Sequence, residues 1–166
     1  MLILFAISAT ILLFCLVNPQ TINSLSIKGQ DSLNSYKKIP ISINSYNISA
    51  AIASTDEEKI KGLSGLKELG ATEGMLFLLH HSSKQGFWMK DMNFPIDIIW
   101  IDSMKRVVHI EKELKPCDSI FTCPVYTPNT DALYVLEVNS GFSDQHSISD
   151  GTTINFNLNE SLTNPK

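Results

Sequence analysis

The stretch GFWMKDMNFPIDIIWID, residues 86–102, is strongly apolar but carries charged side chains in both of its halves. In an extended strand, alternation places Trp88 and Lys90 on the same face. Pro95 has no N–H to contribute to a strand ladder, and the Asp and Asn residues just before it favour turns. We therefore predict a β-hairpin whose return strand spans residues 96–102.

Asp97 is the charged residue that this hairpin must accommodate. It shares a strand face with Ile99 and Ile101, so its carboxylate lies in a row of side chains that is predicted to face the core. Burying a carboxylate without a partner is costly. Lys90 lies across the turn, so we predict a largely buried Lys90–Asp97 ion pair that serves the structure first.

Short strand-like segments recur along the rest of the chain. Further strands are predicted over residues 38–43, 46–53, 75–79, 87–90, 106–111, 133–138 and 152–157. Thr55 predicts the N-cap of a helix over residues 56–62, because three acidic residues follow it in the first turn. One further helical turn is predicted over residues 142–146. This pattern predicts an α+β, mainly β domain with a barrel-like mixed sheet and one or two short helices.

The length of 166 residues and a hydrophobic content of 43% fit one domain with a sizeable core. We predict a membrane anchor or signal segment over residues 1–17, a polar linker over 18–38, a single β-rich globular domain over 39–157 and a polar tail over 158–166.

The N-terminal run of residues 1–17, MLILFAISATILLFCLV, has no charged residue and is close to the shortest length that spans a bilayer. Signal peptides normally begin with a basic region, whereas the first lysine here is Lys28, which favours a retained anchor over cleavage. Lysines after the span favour a cytoplasmic location by the positive-inside rule, but they are few and dispersed. We predict a domain that is membrane-anchored or secreted and lies outside the cytoplasm.

The charge balance excludes one class of partner. The formal net charge is −4, and no basic cluster larger than two residues occurs. Proteins that bind nucleic acid usually carry a basic patch or stripe. We therefore predict that the chain does not bind nucleic acid.

Cys117 and Cys123 are each flanked by proline and are separated by five residues. In an exported domain, two cysteines on so short and proline-restricted a loop predict a disulfide. In the cytosol, the same two cysteines would be expected to be free thiols. A zinc site is disfavoured because there is no second cysteine pair and His109 is the only imidazole nearby in sequence. A Cys117–His109 nucleophile pair has no local signature.

Several side chains that are soft or borderline metal ligands suggest a copper site as an alternative function. Met92 and His80 are the principal candidate ligands. The full set is Met75, Met89, Met92, Met104, His80 and His81. Methionine also fills core gaps, and the two histidines precede a polar stretch that reads as a loop. We therefore predict core methionines and exposed histidines, without a cofactor or a metal.

Ordered motifs over most of the chain make it similar to a known family. They are Glu73-Gly74-Met75-Leu76-Phe77, Phe87-Trp88-Met89-Lys90, Pro95-Ile96-Asp97-Ile98, Ile101-Asp102, Pro116-Cys117 with Cys123-Pro124, and residues 134–142, YVLEVNSGF. In this order they resemble the domain of unknown function 192 family, from about residue 39 to residue 156. The resemblance implies a fold more than an activity, because the family has no established reaction.

One segment departs from the family's pattern. The family commonly carries a Gly-Leu-Met-x-Arg type segment before the Gly-Met-Leu-Phe motif, whereas residues 62–66 here read GLSGL. Any role that depends on that arginine is therefore absent from this segment.

Glu137 completes the set of candidate site residues. It shares a strand face with Leu133 and Val135. Its carboxylate has two alternative roles: it accepts hydrogen bonds from the amides of the following turn, or it contacts a ligand. Trp88 and Trp100 are predicted to be core, although Trp88 beside Lys90 could stack a sugar or an apolar ligand.

The predicted ligand-binding face carries Trp88, Lys90, Asp97 and Glu137. No nucleophile–base pair is evident, so we favour binding of a small molecule or envelope component. The alternatives are a small hydrolase-like enzyme that uses Asp97 or Glu137 as acid/base with Lys90 as electrostatic partner, a structural envelope module, or a copper-binding protein.

Overall fold

The computed structural model describes residues 33–119 and 121–159 of the chain, which alternate short strands with two short helices. A 3-10 turn, Leu33–Ser35, comes first. The elements that follow are β1 (Lys38–Ile43), β2 (Tyr46–Ala53), α1 (Asp56–Lys61), β3 (Glu73–Ser83), β4 (Phe87–Trp88), β5 (Ile96–Ile101), β6 (Val107–Leu114), β7 (Val125–Tyr126), β8 (Ala132–Asn139), α2 (Phe142–Gln145) and β9 (Ile154–Phe156).

Seven of these strands form one sheet in the order β6-β5-β8-β3-β2-β1-β9. The β2–β3 pair is parallel, and every other pair in the sheet is antiparallel. The two ends of the sheet approach each other, because Val107 N–H donates to the Thr152 carbonyl at 2.9 Å and Ile154 N–H donates to the Lys105 carbonyl at 2.9 Å. The sheet is thus a curled half-barrel, which confirms the predicted mainly β, barrel-like fold.

Alternating side chains build two cores on opposite faces of this sheet. The first core contains Ile99 and Val138 and includes residues from both ends of the sheet, so it fills the concave side. The second contains Trp100 and Val135 and lies on the outer side, beneath the segment that follows α1 and beneath β4. Leu33, in the segment predicted as linker, packs into the second core.

Helix α1 begins where the sequence predicts it. The Thr55 hydroxyl accepts from Glu58 N–H at 3.2 Å, and the Glu58 carboxylate accepts from Thr55 N–H at 3.0 Å, which is a capping box. Gly62 ends the helix with a positive φ of 49° that favours glycine. The loop that follows is fixed because Gly65 N–H donates to the Asp91 carbonyl at 3.0 Å.

The predicted hairpin between residues 87–90 and 96–102 is wrong. Both edges of β5 are occupied, by β6 and by β8, and β4 pairs instead with β7. The backbone after β4 is bound by the cysteine loop, because Cys117 N–H donates to the Met89 carbonyl at 3.0 Å. Segment 91–95 therefore leads the chain from the outer layer into the sheet rather than closing a hairpin.

Strand β3 extends further than predicted and includes both histidines. Residues 75–79 were expected to be a strand with His80 and His81 in a loop, but β3 continues to Ser83. The two histidines are nevertheless exposed, as predicted.

The predicted disulfide is present. Cys117 and Cys123 have their sulfur atoms 2.06 Å apart. The bridge closes the loop that leads into β7, which is the partner strand of β4. The disulfide thus ties Cys123, just before β7, to Cys117, which bonds the backbone just after β4.

The predicted anchor at residues 1–17, most of the predicted linker and residues 160–166 lie outside the described residues. Neither α1 nor α2, the α-helices in the described part of the chain, is long and apolar enough to cross a bilayer.

Candidate functional site

Asp97 is fully buried at the start of β5 and is held by backbone amides. Its Oδ1 atom accepts from Glu113 N–H at 2.9 Å and from Gly141 N–H at 3.1 Å, and its Oδ2 atom accepts from Ser143 N–H at 2.8 Å. A register shift in the β5–β6 pairing between Ile96 and Ile98 leaves the Glu113 amide free to reach it. Asp97 therefore ties three segments together.

The predicted Lys90–Asp97 ion pair is not formed. The Lys90 ammonium pairs with the neighbouring carboxylate of Asp91, near the surface. Asp97 needs no cation, because three N–H groups already satisfy its oxygens. The amide-binding role that the sequence suggested for Glu137 is thus carried out by Asp97.

Glu137 lies near the end of β8, between Met75 of β3 and Ile98 of β5. Its exposed fraction is 5%, and its Oε2 atom has no hydrogen-bond partner among the described residues. Burial raises the pKa of Glu137 to about 8. The carboxyl group is therefore mostly protonated at neutral pH and can donate a hydrogen bond.

Asp97 and Glu137 lie on opposite faces of the sheet. Asp97 is opposite Val138, whose side chain is in the concave core, whereas Glu137 is opposite Ile98, whose side chain is in the outer core. The two carboxyl groups therefore cannot reach the same reacting atom, and Lys90 pairs with Asp91 rather than with either of them.

Glu137 lines a small chamber of about 40 Å³ beneath the segment that follows α1. The aromatic rings of Phe77, Phe87 and Trp88 form part of its wall. Phe87 is held in place by edge-to-face contacts, with its ring 4.9 Å from that of Phe77 and 6.0 Å from that of Trp100. The buried acid therefore faces a small pocket that three aromatic rings border.

A larger cleft of about 780 Å³ adjoins the chamber. The two cavities share walls formed by Lys59, Ile60, Phe87 and Trp88. Trp88 was predicted to be core, but 47% of it is exposed, whereas Trp100 is buried as predicted. Trp88 is exposed because β4 lies at the surface, where only Phe87 of this strand packs into the outer core.

Three charged or titratable side chains meet at one side of the cleft. The His80 Nε2 atom lies 3.0 Å from Asp56 Oδ1 and 3.0 Å from Lys59 Nζ. The hydrogen bond from His80 and then that from Lys59 lower the pKa of Asp56. Because Lys59 Nζ contacts these two residues, its charge lies at the outer end of the cleft rather than against Glu137.

The alternative of a copper site gains no geometric support. Met92 lines the inner chamber, whereas His80 lines the outer cleft. Among residues 33–119 and 121–159, no group of three or more His, Cys, Asp or Glu side chains is placed to hold a metal ion.

Two of the four predicted ligand-binding residues thus meet at the adjoining cavities, namely Trp88 and Glu137. Lys90 and Asp97 line neither of them. The sequence reasoning missed Lys59 and Phe87 as cavity walls, because α1 and β4 come together only through tertiary packing. One local feature of the sequence pointed to the chamber, namely that residues 62–66 depart from the family's pattern. Gly62, Leu63 and Ser64 of this segment line the chamber.

A family model matches residues 39–156 of the chain and identifies the family as DUF192, described as an uncharacterized ACR. The match spans well over half of the chain. This protein therefore belongs to the DUF192 family, as its motifs predicted.

Two solved structures are similar to this one. A protein from Sinorhizobium meliloti 1021, described as a candidate transcription regulator, is 22% identical, with a TM-score of 0.67 over 73% of this chain and 95% of that chain. A protein of unknown function from Novosphingobium aromaticivorans DSM 12444 is 29% identical, with a TM-score of 0.63 over 71% of this chain and 83% of that chain. The first likeness shows the fold alone, and the second has no known activity. No curated protein matches the chain.

Proposed function

We propose that this protein is a membrane-tethered, extracytoplasmic domain that binds a small ligand in the cleft beside Trp88. The observation that carries the binding proposal is Glu137, a buried acid without a hydrogen-bond partner that faces a chamber adjoining this cleft. A buried polar group normally has a partner, because leaving it unpaired costs about 1–3 kcal/mol. A bound ligand would supply that partner.

The shape and the walls of the cleft support a small molecule as the ligand. Its volume of about 780 Å³ lies within the range of about 300–1,000 Å³ that is usual for ligand pockets. The exposed ring of Trp88 and the side chains of Ile60 and Val125 offer apolar contact. Asp56, Lys59 and His80 add polar groups at its edge.

The binding proposal can be tested with 2-phenylacetamide as a probe and methyl signals as the reporters. We expect chemical-shift changes in the methyl groups of Ile60 and Val125, which line the cleft, because the phenyl ring would pack against Trp88. Trp88→Ala should weaken the response at least tenfold. Met104→Ala is the matched control, since Met104 is also an exposed apolar residue but does not line the cleft.

Shifts that spread evenly over the surface, or that are unchanged in Trp88→Ala, would contradict ligand binding in this cleft. The domain would then fit the remaining alternative of a structural envelope module.

The tethering proposal rests on two features of the chain. Residues 1–17 are an uncharged apolar run of membrane-spanning character. The Cys117–Cys123 disulfide favours an oxidising compartment, because thiols in the cytosol are kept reduced. The apolar run favours attachment to the membrane, and the disulfide favours its outer side.

The orientation is tested with a tag placed after Lys166. Protease added to intact cells should remove the tag, because the domain is expected to lie outside the cytoplasm. A cytoplasmic marker protein that stays intact is the control. A tag that is cleaved only after lysis would reverse the proposed orientation.

A further inference from the structure

We propose that the chamber at Glu137 receives a neutral, hydrogen-bond-accepting head group, such as a carboxamide, from a ligand whose apolar body lies against Trp88. This inference rests on the proposed ligand-binding function and specifies the chemistry of the group that enters the chamber. Three features of the chamber lead to it: its size, its unpaired polar atom and the charges around it.

The size of the chamber sets an upper limit on the head group. A cavity needs about 10–15 Å³ of accessible volume to hold one water molecule. The chamber of about 40 Å³ therefore has room for one or a few water molecules, or for a single functional group, but not for a whole ligand. The body of a ligand must then lie in the adjoining cleft, which shares Phe87 and Trp88 with the chamber.

The unpaired atom decides which type of hydrogen bond is missing. Glu137 Oε2 is nine-tenths or more buried and has no partner among the described residues. Burial raises the pKa of Glu137 to about 8, so its carboxyl group keeps a proton at neutral pH. A protonated carboxyl group is a donor as well as an acceptor. It therefore pairs best with a group that offers a carbonyl or hydroxyl oxygen.

The charges around the chamber disfavour a cation as the head group. Lys59 and Lys61 are the ionisable residues that line the chamber besides Glu137, and both come from α1. On the sheet, Glu137 is flanked by Met75 and Ile98, which carry no charge. An ammonium head group would thus lie in a small buried site beside an acid that is mostly neutral and cannot offset its charge.

Three probes with the same phenyl body separate the possible head groups. They are 2-phenylacetamide, phenylacetate and 2-phenylethylammonium, which are neutral, anionic and cationic. Titrations followed by the methyl signals of Ile60 and Val125 at pH 6.5 should give a dissociation constant for the amide at least tenfold below the other two. Glu137→Leu should remove this preference and leave the weak contact of the phenyl ring with Trp88.

The pH dependence gives an independent readout. Affinity for 2-phenylacetamide should fall more than tenfold between pH 6.5 and pH 9.5, because only the protonated fraction of Glu137 can donate. Glu137→Gln keeps a donor at every pH, so this variant should bind the amide with an affinity that does not change over the same range.

Each outcome decides between the two proposals. Tighter binding of phenylacetate or of 2-phenylethylammonium, or affinity for the amide that rises with pH, would overturn the neutral head group. Trp88-dependent binding that is unchanged in Glu137→Leu would mean that water alone occupies the chamber, and it would leave the cleft proposal intact. If none of the three probes shifts the Ile60 and Val125 signals, the proposed function itself fails.

Discussion

Asp97→Asn is expected to lower the free energy of unfolding by about 2–5 kcal/mol, because buried hydrogen bonds to a charged group contribute about 1.5–3 kcal/mol each. Asparagine keeps one acceptor oxygen, so its NH2 group would face either the N–H of Ser143 or the N–H groups of Glu113 and Gly141. An unsatisfied buried polar group costs about 1–3 kcal/mol. Urea denaturation at pH 7, monitored by the fluorescence of buried Trp100, measures the loss.

Lys90→Met is the matched control for this result. Because Lys90 pairs with Asp91 near the surface, this change should alter the free energy of unfolding by no more than about 1 kcal/mol. The double variant Lys90→Met, Asp97→Leu should be as unstable as the sum of Lys90→Met and Asp97→Leu measured singly, to within about 0.5 kcal/mol. Recovery of stability in the double variant would instead indicate a Lys90–Asp97 pair and would contradict the structure.

Glu137→Gln is expected to remove a large part of the pH dependence of stability. The pKa of Glu137 is raised from 4.5 to about 8 in the folded state, so the folded protein holds this proton where the unfolded chain has lost it. Glu137 therefore makes stability fall as pH rises between about 4.5 and 8, with the full penalty present above 8. The shift corresponds to a penalty on the order of 4–5 kcal/mol at pH 9.

The measurement is the difference in unfolding free energy between Glu137→Gln and the natural chain at pH 4.5, 7 and 9. This difference should grow steadily in favour of the variant, because glutamine carries no charge at any pH. The exposed Glu68 provides a control, since Glu68→Gln makes the same substitution at a side chain in contact with water. A difference for Glu137→Gln that is independent of pH would mean that Glu137 is not held in its protonated form.

The opposite effects expected at these two positions have one physical cause. Both carboxyl groups are buried, with exposed fractions of 0% for Asp97 and 5% for Glu137. Asp97 has three amide donors that compensate for lost water, whereas Glu137 Oε2 has none among the described residues. Asp97 therefore stabilises the fold, and Glu137 destabilises it while keeping a polar group available to a ligand.

Local sequence patterns determined the parts of the fold that depend on near neighbours. Alternation predicted that Asp97 shares a face with Ile99, because successive side chains of a strand point to opposite faces. The strands predicted over residues 38–43 and 46–53 are β1 and β2, and Asn44 and Ser45 between them both have positive φ values, as such a tight turn requires. Thr55 predicted the start of α1 through its capping box.

The sequence patterns also assigned the family and the cysteine pair. The ordered motifs predicted the DUF192 family, and the proline-flanked spacing of Cys117 and Cys123 predicted their bridge. Both predictions depend on the identity and spacing of residues in the sequence and need no tertiary contact.

Only the tertiary structure decided which partners the charged residues have. Asp97 and the amide of Ser143 are 46 positions apart in sequence, and β4 pairs with β7 across the cysteine loop. Local rules carry no information on contacts at such distances, because these contacts depend on which sheet edges are already occupied. For that reason the sequence pointed to a nearby lysine for Asp97, whereas the fold places Asp97 and Glu137 on opposite faces and leaves only Glu137 facing a cavity.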